Sequence, residues 1–264
     1  MATLATMLPV MPPTILAFDT STELTSVALT HRGRDTCWQG AGGALASATL
    51  LPRIHALLAD ERIELAALDA IAFGCGPGAF TGLRTACSVA QGLAFGGGKP
   101  VLAIDSLMLV AEAARAAPGG GAPHDDIGVA MDARMGELYA ARYRWIGGDW
   151  QVVAVPALCN PAALPGLWGG WPRCIVGSGV LMLNTRHGHA SPAGSAASDC
   201  DTGSAIDTDP QRAAALLRLA LRAHTRGVGV DAALALPLYL RDKVAQTSSE
   251  RAATKQQHAE AAIR

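Results

Sequence analysis

No Cys-x-x-Cys pair, no Gly-x-Ser-x-Gly elbow and no Gly-Lys-Ser/Thr phosphate loop occurs in the chain. The first absence removes paired-thiol zinc and redox sites. The second removes the serine nucleophile of a strand-to-helix turn, and the third Walker-type nucleotide binding. Aromatic residues are sparse at 5% and charged residues make up only 16%, with a formal net charge of -1 and no block of one sign. Bulk electrostatics therefore do not call for a nucleic-acid partner, and only a local patch would serve. The six cysteines, at 37, 75, 87, 159, 174 and 200, stand singly, as reduced thiols do in a cytoplasmic protein. His187-Gly188-His189 is the one close histidine pair, and it lies in a Ser/Ala/Gly/Asp-rich stretch, 187–207. It reads as a solvated loop, so no metal site is expected. Residues 1–13 are apolar, lack a basic residue and are broken by Pro9, Pro12 and Pro13. They read as a disordered extension rather than a signal peptide or membrane span.

What the chain does have is one organising stretch, Gly74-Cys75-Gly76-Pro77-Gly78-Ala79-Phe80-Thr81-Gly82-Leu83-Arg84. An apolar run, 69–73, leads in as a buried strand; a helical pattern follows over 80–95 and stops at Gly96-Gly97-Gly98; a second apolar strand, 100–104, ends at Asp105. Strand, glycine turn, helix, strand is a crossover unit, which makes a parallel pair. Its turn leaves backbone N–H groups near a helix N-terminus, where a phosphate or carboxylate is accommodated.

Around this unit, 14–18 reads as a strand ending in Asp19, with 24–30 as its hairpin return and 36–39 as a third strand. Ser47 is positioned to cap a helix to Asp60 with Leu50, Leu51, Ile54, Leu57 and Leu58 on one face. A helix is expected over 107–117. The pattern then recurs: a strand over 127–131 ends in Asp132, a short turn carries Arg134 and Glu137, and 138–145 returns. A degenerate repeat over roughly 110 residues implies two lobes of related topology. Further strands are expected at 151–155 and 173–176, with loop and short helix over 156–167 between them. Thr208-Asp209-Pro210-Gln211 has the spacing of a capping box opening a helix to about Arg226. The division expected is an extension over 1–13, a first lobe over 14–108 and a second over 109–208. A C-terminal helix and segment, 209–245, follows, and then a polar, disordered tail, 246–264.

Asp19 and Asp132 end strands, where an acid either caps the turn or binds a metal or nucleotide; capping is the simpler reading. With Ser21, Gly76, Gly78, Thr81, Arg134 and Glu137 they form the candidate inter-lobe or anion-binding set. Gly74-x-Gly76-x-x-Ala79 with Asp105 loosely matches a dinucleotide fingerprint, though the acid lies beyond the usual spacing of about 20 residues. Cys75 reads as a buried thiol rather than a nucleophile, since no histidine stands near it in sequence. Arg142 and Arg144 share one side of an extended arm. With Arg134 they make either an anion or RNA patch or a solvated strand face. The 80–95 helix is apolar on two sides, one through Phe80, Leu83, Cys87, Ala90 and Ala94, the other, mostly of small residues, through Gly82, Thr85, Ala86, Val89, Gly92 and Leu93. Two apolar sides need two neighbours.

Ile15 to Thr22, Gly76 to Arg84, Met131 to Glu137 and Pro237 to Arg241 stand in the order and spacing of the bacterial TsaB (YeaZ) family, which the chain resembles over about 14–244. Departures are the extra residues 1–13, Ala79 for a frequent serine, Ala46 for a frequent histidine, and the stretch 191–204. The resemblance implies an α/β, two-lobed actin-like ATPase fold of the acetate kinase, Hsp70 and actin superfamily, with related mixed sheets in each lobe. It implies a non-catalytic, cytoplasmic subunit required for N6-threonylcarbamoyladenosine in tRNAs that read A-starting codons. The subunit would bind the catalytic paralogue TsaD, joined by TsaE, and meet tRNA through the complex. It would need no cofactor alone, with ATP and metal in the partner subunits, and would form a homodimer when isolated. The implied interface is helical: Leu50, Leu51, Ile54, Leu58, Gly82, Thr85, Ala86, Val89 and Leu93. The alternatives are an independent actin-like-fold small-molecule kinase using Asp19 and Asp132, and behind it a dinucleotide-dependent oxidoreductase.

Overall fold

The computed structural model describes residues 11–116, 125–186 and 211–241. Two sheets carry the architecture. In the first, β1 (Ile15–Asp19) pairs antiparallel with β2 (Leu24–His31), which pairs with β3 (Arg34–Ala41). On its other side β1 runs parallel to β4 (Ala70–Gly76), and β4 parallel to β5 (Val101–Asp105). The second sheet repeats the plan. β6 (Asp126–Asp132) pairs antiparallel with β7 (Leu138–Ile146) and parallel with β9 (Cys174–Val176), and β8 (Asp149–Cys159) lies outside β7. The strand orders are β3-β2-β1-β4-β5 and β8-β7-β6-β9.

The strands' period of two sorts the core into layers. Leu16, Phe18, Val27, Leu29, Ile71 and Phe73 face α1 (Ala46–Asp60) and α2 (Phe80–Gly97). Ile15, Ala17, Ala28, Ala70 and Ala72 face the opposite way, onto α3 (Ser106–Arg115) and α6 (Gln211–Thr225). Those two helices also take Ile127, Val129, Ala141 and Tyr143 from the inner face of the second sheet. Behind that sheet, Ala130, Leu138 and Ala140 pack on α4 (Leu164–Trp168); α5 (Val180–Arg186) follows β9. The helix pair α3/α6 is thus the filling between the sheets. Alanines on the facing strands let α6 approach β1 closely, while each fully buried Leu of the layer contributes about 1.5–3 kcal/mol.

Local differences from the sequence reading have physical causes. Ser47 lies inside α1 and caps nothing; the helix begins at Ala46 after Leu45 with no side-chain cap. α3 starts at Ser106 because Asp105 accepts hydrogen bonds from the N–H groups of Leu107 (2.8 Å) and Met108 (3.3 Å). β8 extends through 156–159, expected as loop; it is an edge strand, where Pro156 forfeits no essential ladder bond. α2 runs to Gly97 and ends on left-handed Gly98 (φ +62°). Residues 208–210 of the expected capping box and the histidine pair at 187–189 lie outside the described residues, as do 1–10 and 242–264. Among the described residues no helix is long and apolar enough to cross a membrane.

Candidate functional site

The two hairpin turns, 19–24 and 132–138, approach each other across a cleft of about 580 Å³. The entry to α2, the start of α3, Arg212 of α6 and the segment 238–241 complete its walls. Three of the four motif segments end in this cleft through their turns, and Pro237 to Arg241 forms its side.

Asp19, at the end of β1, is fully buried and does not itself line the cleft. Its Oδ1 accepts from the Ser21 N–H (3.2 Å), and its Oδ2 from the Ser21 hydroxyl (2.9 Å). The same Oδ2 accepts from Arg212 Nε (3.0 Å) and Nη2 (2.8 Å). Arg212 Nη2 also donates to Ser21 Oγ (3.0 Å). The acid therefore caps its turn, as the simpler reading has it, and is additionally sealed by a guanidinium 193 residues away. No sequence spacing marks that pair; Arg212 is the functional-looking residue that sequence reasoning missed. Its only signal is a lone arginine at the start of an otherwise apolar helix stripe.

Asp132, the counterpart in the second lobe, has a different fate. Its Oδ1 accepts from the Arg134 N–H (2.7 Å), its side chain is a third exposed, and Arg134 stands 3.8 Å away. The turn after it is held in left-handed backbone at Arg134 (φ +66°), Met135 (φ +58°) and Gly136 (φ +77°). Arg241 ties this turn down, pairing with Glu137 (2.6 Å) and donating to the Ala133 and Arg134 carbonyls (3.1 and 3.4 Å). Arg134 also reaches Glu23 of the first turn at 3.6 Å, both largely in solvent, where such a pair is worth little.

The glycine turn is shaped for the chain itself. A Cβ on Gly74 would strike the Asp19 carboxylate, and one on Gly82 the Thr20 carbonyl. At Gly78 a Cβ would lie 2.5 Å from the Ser21 carbonyl, and at Gly76 (φ +112°) 2.8 Å from the Leu238 carbonyl. Ala79 N–H donates to Ser21 O (2.8 Å) and Leu238 N–H to Cys75 O (2.7 Å). The close approach that a dinucleotide's pyrophosphate would need is taken by the first hairpin and the 238–241 segment. Asp105, the acid of that fingerprint, caps α3 and accepts from the Tyr143 hydroxyl (2.5 Å). Burial pushes its carboxyl up despite these bonds, and pushes the Tyr143 phenol well up as well. Burial, with Asp105 and Asp19 nearby, lifts the Cys75 thiol to about 12, which disfavours the thiolate a nucleophile needs.

The arginine patch is corrected too. Arg142 is buried, chelates Asp126 through Nε (2.8 Å) and Nη2 (2.7 Å), and donates to the Trp168 carbonyl. The Arg142 bond is the main cause holding the Asp126 carboxyl below the usual range. Only Arg144 and Arg134 of the three face solvent. Of the interface candidates, Leu50, Ile54, Leu58, Gly82 and Ala86 are buried against this chain's own sheet and turn, so they offer no surface. Leu51 is 39% exposed, and Thr85, Val89 and Leu93 are half-exposed along α2. Thr81 is exposed at the α2 N-terminus and does not line the cleft.

The family model described as TsaD, tRNA N6-adenosine threonylcarbamoyltransferase, matches residues 45–173. The tRNA threonylcarbamoyladenosine biosynthesis protein TsaB of Haemophilus influenzae is 43% identical over 156 residues, 56% of this chain and 64% of that protein's length. The protein of the same description from Escherichia coli is 32% identical over 183 residues, 64% of this chain and 78% of that protein. The solved structure described as YeaZ from Pseudomonas aeruginosa superposes with a TM-score of 0.69 at 37% identity, over 86% of this chain and all of that one. With two related mixed sheets joined across one cleft, the chain has the two-lobed actin-like ATPase architecture and belongs to the TsaB (YeaZ) family.

Proposed function

We propose that the protein acts in the biosynthesis of threonylcarbamoyladenosine in tRNA, as a non-catalytic partner of a TsaD-type threonylcarbamoyltransferase. The observation that carries this reading is the sealed state of Asp19. A kinase or ATPase built on this fold needs a free carboxylate at the first strand's end to hold a metal or orient phosphate. Here that carboxylate is fully buried and held by Arg212 at 2.8 Å, so a metal would have to break a charge-assisted, desolvated pair. The filled glycine turn counts likewise against a dinucleotide enzyme.

The partner surface in this reading is the outer strip of α1 and α2, where Leu51, Thr85, Val89 and Leu93 remain accessible and Gly92 leaves room for a close helix. A TsaD-type subunit covers it in the complex and a second copy covers it in the isolated protein. TsaE, the ATP and the metal belong to the partner side, tRNA is met through the assembly, and the setting is cytoplasmic.

Reconstitution of tRNA modification from purified subunits tests the proposal. Omitting this chain is expected to abolish product, while the chain alone is expected to consume no ATP with magnesium. Val89→Arg places an unpaired charge in a dry contact and is expected to cost about 2–4 kcal/mol of association. Calorimetric titration of a variant that keeps its circular dichroism decides: unchanged affinity would remove α2 from the interface.

A further inference from the structure

At the entry to α2, Arg84 lies over the Phe80 ring at 4.0 Å and donates to the Tyr239 hydroxyl, so its guanidinium is used within the chain. Another arginine–aromatic cluster has charge to spare. It sits at the Asp126 end of β6, the end away from the cleft, on the sheet face that carries Trp168. There Asp126 stands opposite Arg144 across the β6–β7 pair. Arg173 comes immediately before Cys174, the β9 partner of Ile127, which sets it beside Asp126 on the other flank. Neighbouring strands lie about 4.8 Å apart, so the two arginines bracket one carboxylate with their backbones roughly 10 Å from each other.

That carboxylate is already committed. Buried Arg142 chelates Asp126 through Nε (2.8 Å) and Nη2 (2.7 Å), and Arg144 keeps only a 3.5 Å approach to it. The Arg144 side chain is 45% exposed; Arg173 is exposed and pairs with no carboxylate among the described residues. Even with exposed Asp125 counted in, three guanidiniums stand against two carboxylates. In a chain of formal net charge -1 this is a local surplus of positive charge.

Arg142 also fixes an aromatic ring beside that surplus. Its Nη1 donates to the carbonyls of Trp168 (2.7 Å) and Gly170 (3.3 Å), which pins the loop that carries Trp171. Trp168 is fully buried and meets the Trp171 ring edge-on, with centroids 5.8 Å apart. Trp171 itself is left 40% open to solvent, two residues before Arg173. An indole held in advance, next to guanidiniums with no carboxylate of their own, is the chemistry that takes a nucleobase on the ring and its phosphates on the arginines. An acidic peptide would use the arginines but draws nothing from a fixed indole.

We infer that this end of the second lobe is a contact for unpaired RNA, with a base stacked on Trp171 and the flanking phosphates on Arg144 and Arg173. The inference rests on the reading of the chain as a tRNA-modification subunit, and the nucleotides are then unpaired ones of a tRNA.

Fluorescence anisotropy of the full-length chain by itself tests this, with a fluorescein-labelled single-stranded RNA dodecamer, the same sequence as a duplex, and a tRNA transcript. The single strand and the tRNA are expected to bind with Kd on the order of 10–100 μM at about 50 mM salt, and the duplex about tenfold more weakly. Two phosphates on a single strand give a log–log salt slope of about −1.4, which Arg173→Ala is expected to reduce by about 0.7. Arg173→Glu and Trp171→Ala are each expected to weaken binding about tenfold, while Trp171→Phe, which keeps a stacking ring, retains most of it. Circular dichroism checks that each variant is folded, and Arg173→Glu decides if the Trp171→Ala chain is not. Absence of single-strand binding, equal affinity for the duplex, an unchanged Arg173→Glu variant, or competition by poly-L-glutamate as strong as by RNA would each overturn the contact. Such a result alongside loss of product when this chain is omitted from the reconstituted reaction would remove the RNA contact alone and leave the subunit role standing.

Discussion

Asp19 and Asp132 stand at the same place in the repeat, a strand end before a turn, and the fold treats them oppositely. The first is desolvated and paired; the second stays in reach of water with a backbone bond and a long, solvated ion pair to Arg134. Burying a lone carboxylate is costly, so the first lobe is stable only because α6 delivers Arg212. Removing one partner of such a pair typically costs about 3–5 kcal/mol, and Arg212→Met is expected to lie in that range. The double variant Arg212→Met with Asp19→Asn should recover much of the loss, because it leaves no bare charge. Urea denaturation of the three proteins measures this; a single variant within 1 kcal/mol of the parent would mean the pair is not the floor of the lobe.

Between the sheets the decisive element pair is α3 with α6. Glu112 of α3 is buried and accepts from Arg218 (2.6 Å) and Arg222 (3.0 Å) of α6 and from the indole N–H of Trp150 (2.7 Å). Arg222 and Arg115 also lie over the Trp145 ring, 4.6 and 3.7 Å from its centroid. Burial alone would raise the Glu112 carboxyl, but the bonds from Arg222, Arg218 and Trp150 outweigh it and hold the carboxyl below its ordinary 4.5. Because the folded carboxyl titrates lower than the unfolded one, its contribution is complete above pH 4.5 and is lost as pH falls through the folded value. Glu112→Gln is therefore expected to lower stability at neutral pH and to flatten the acid limb of stability against pH. Urea midpoints taken from pH 7 downward would show it, and parallel acid limbs would remove Glu112 as a source of the slope.

At the scale of the molecule, the 238–241 segment fastens one lobe to the other. Tyr239 packs on Phe80 of α2 with tilted rings, centroids 5.1 Å apart, and its hydroxyl accepts from Arg84 (3.3 Å). Two residues on, Arg241 holds Glu137 and the strained turn of the second lobe. Arg241→Ala is expected to free that turn, at a cost of about 1–3 kcal/mol. Hydrogen exchange should then quicken over 132–138 while the β1–β4 core stays protected. Unchanged exchange in the turn would show that its left-handed backbone holds without the arginine.

Much of this protein was legible in its sequence because local chemistry sets it. The period-two strands, the apolar stripes of α1 and α2, the glycine turn and the two matching hairpins are patterns over neighbouring residues and appear where the sequence places them, except that β4 runs on into the glycine turn as far as Gly76 and β8 as far as Cys159. The strand-ending acids were legible as turn caps for the same reason. What the sequence could not rank was which face of each helix meets which sheet. Leu50, Ile54 and Ala86 have the same stripe whether a partner or the chain's own β-sheet covers them, and only the packing assigned them inward. Nor could it join Asp19 to Arg212 or Glu137 to Arg241, since contacts across 193 and 104 residues leave no local trace. Those long-range pairs, not the motifs that flank them, decide that the first lobe's acid is sealed while its counterpart in the second lobe stays in reach of water, because desolvation and charge pairing are properties of the assembled interior.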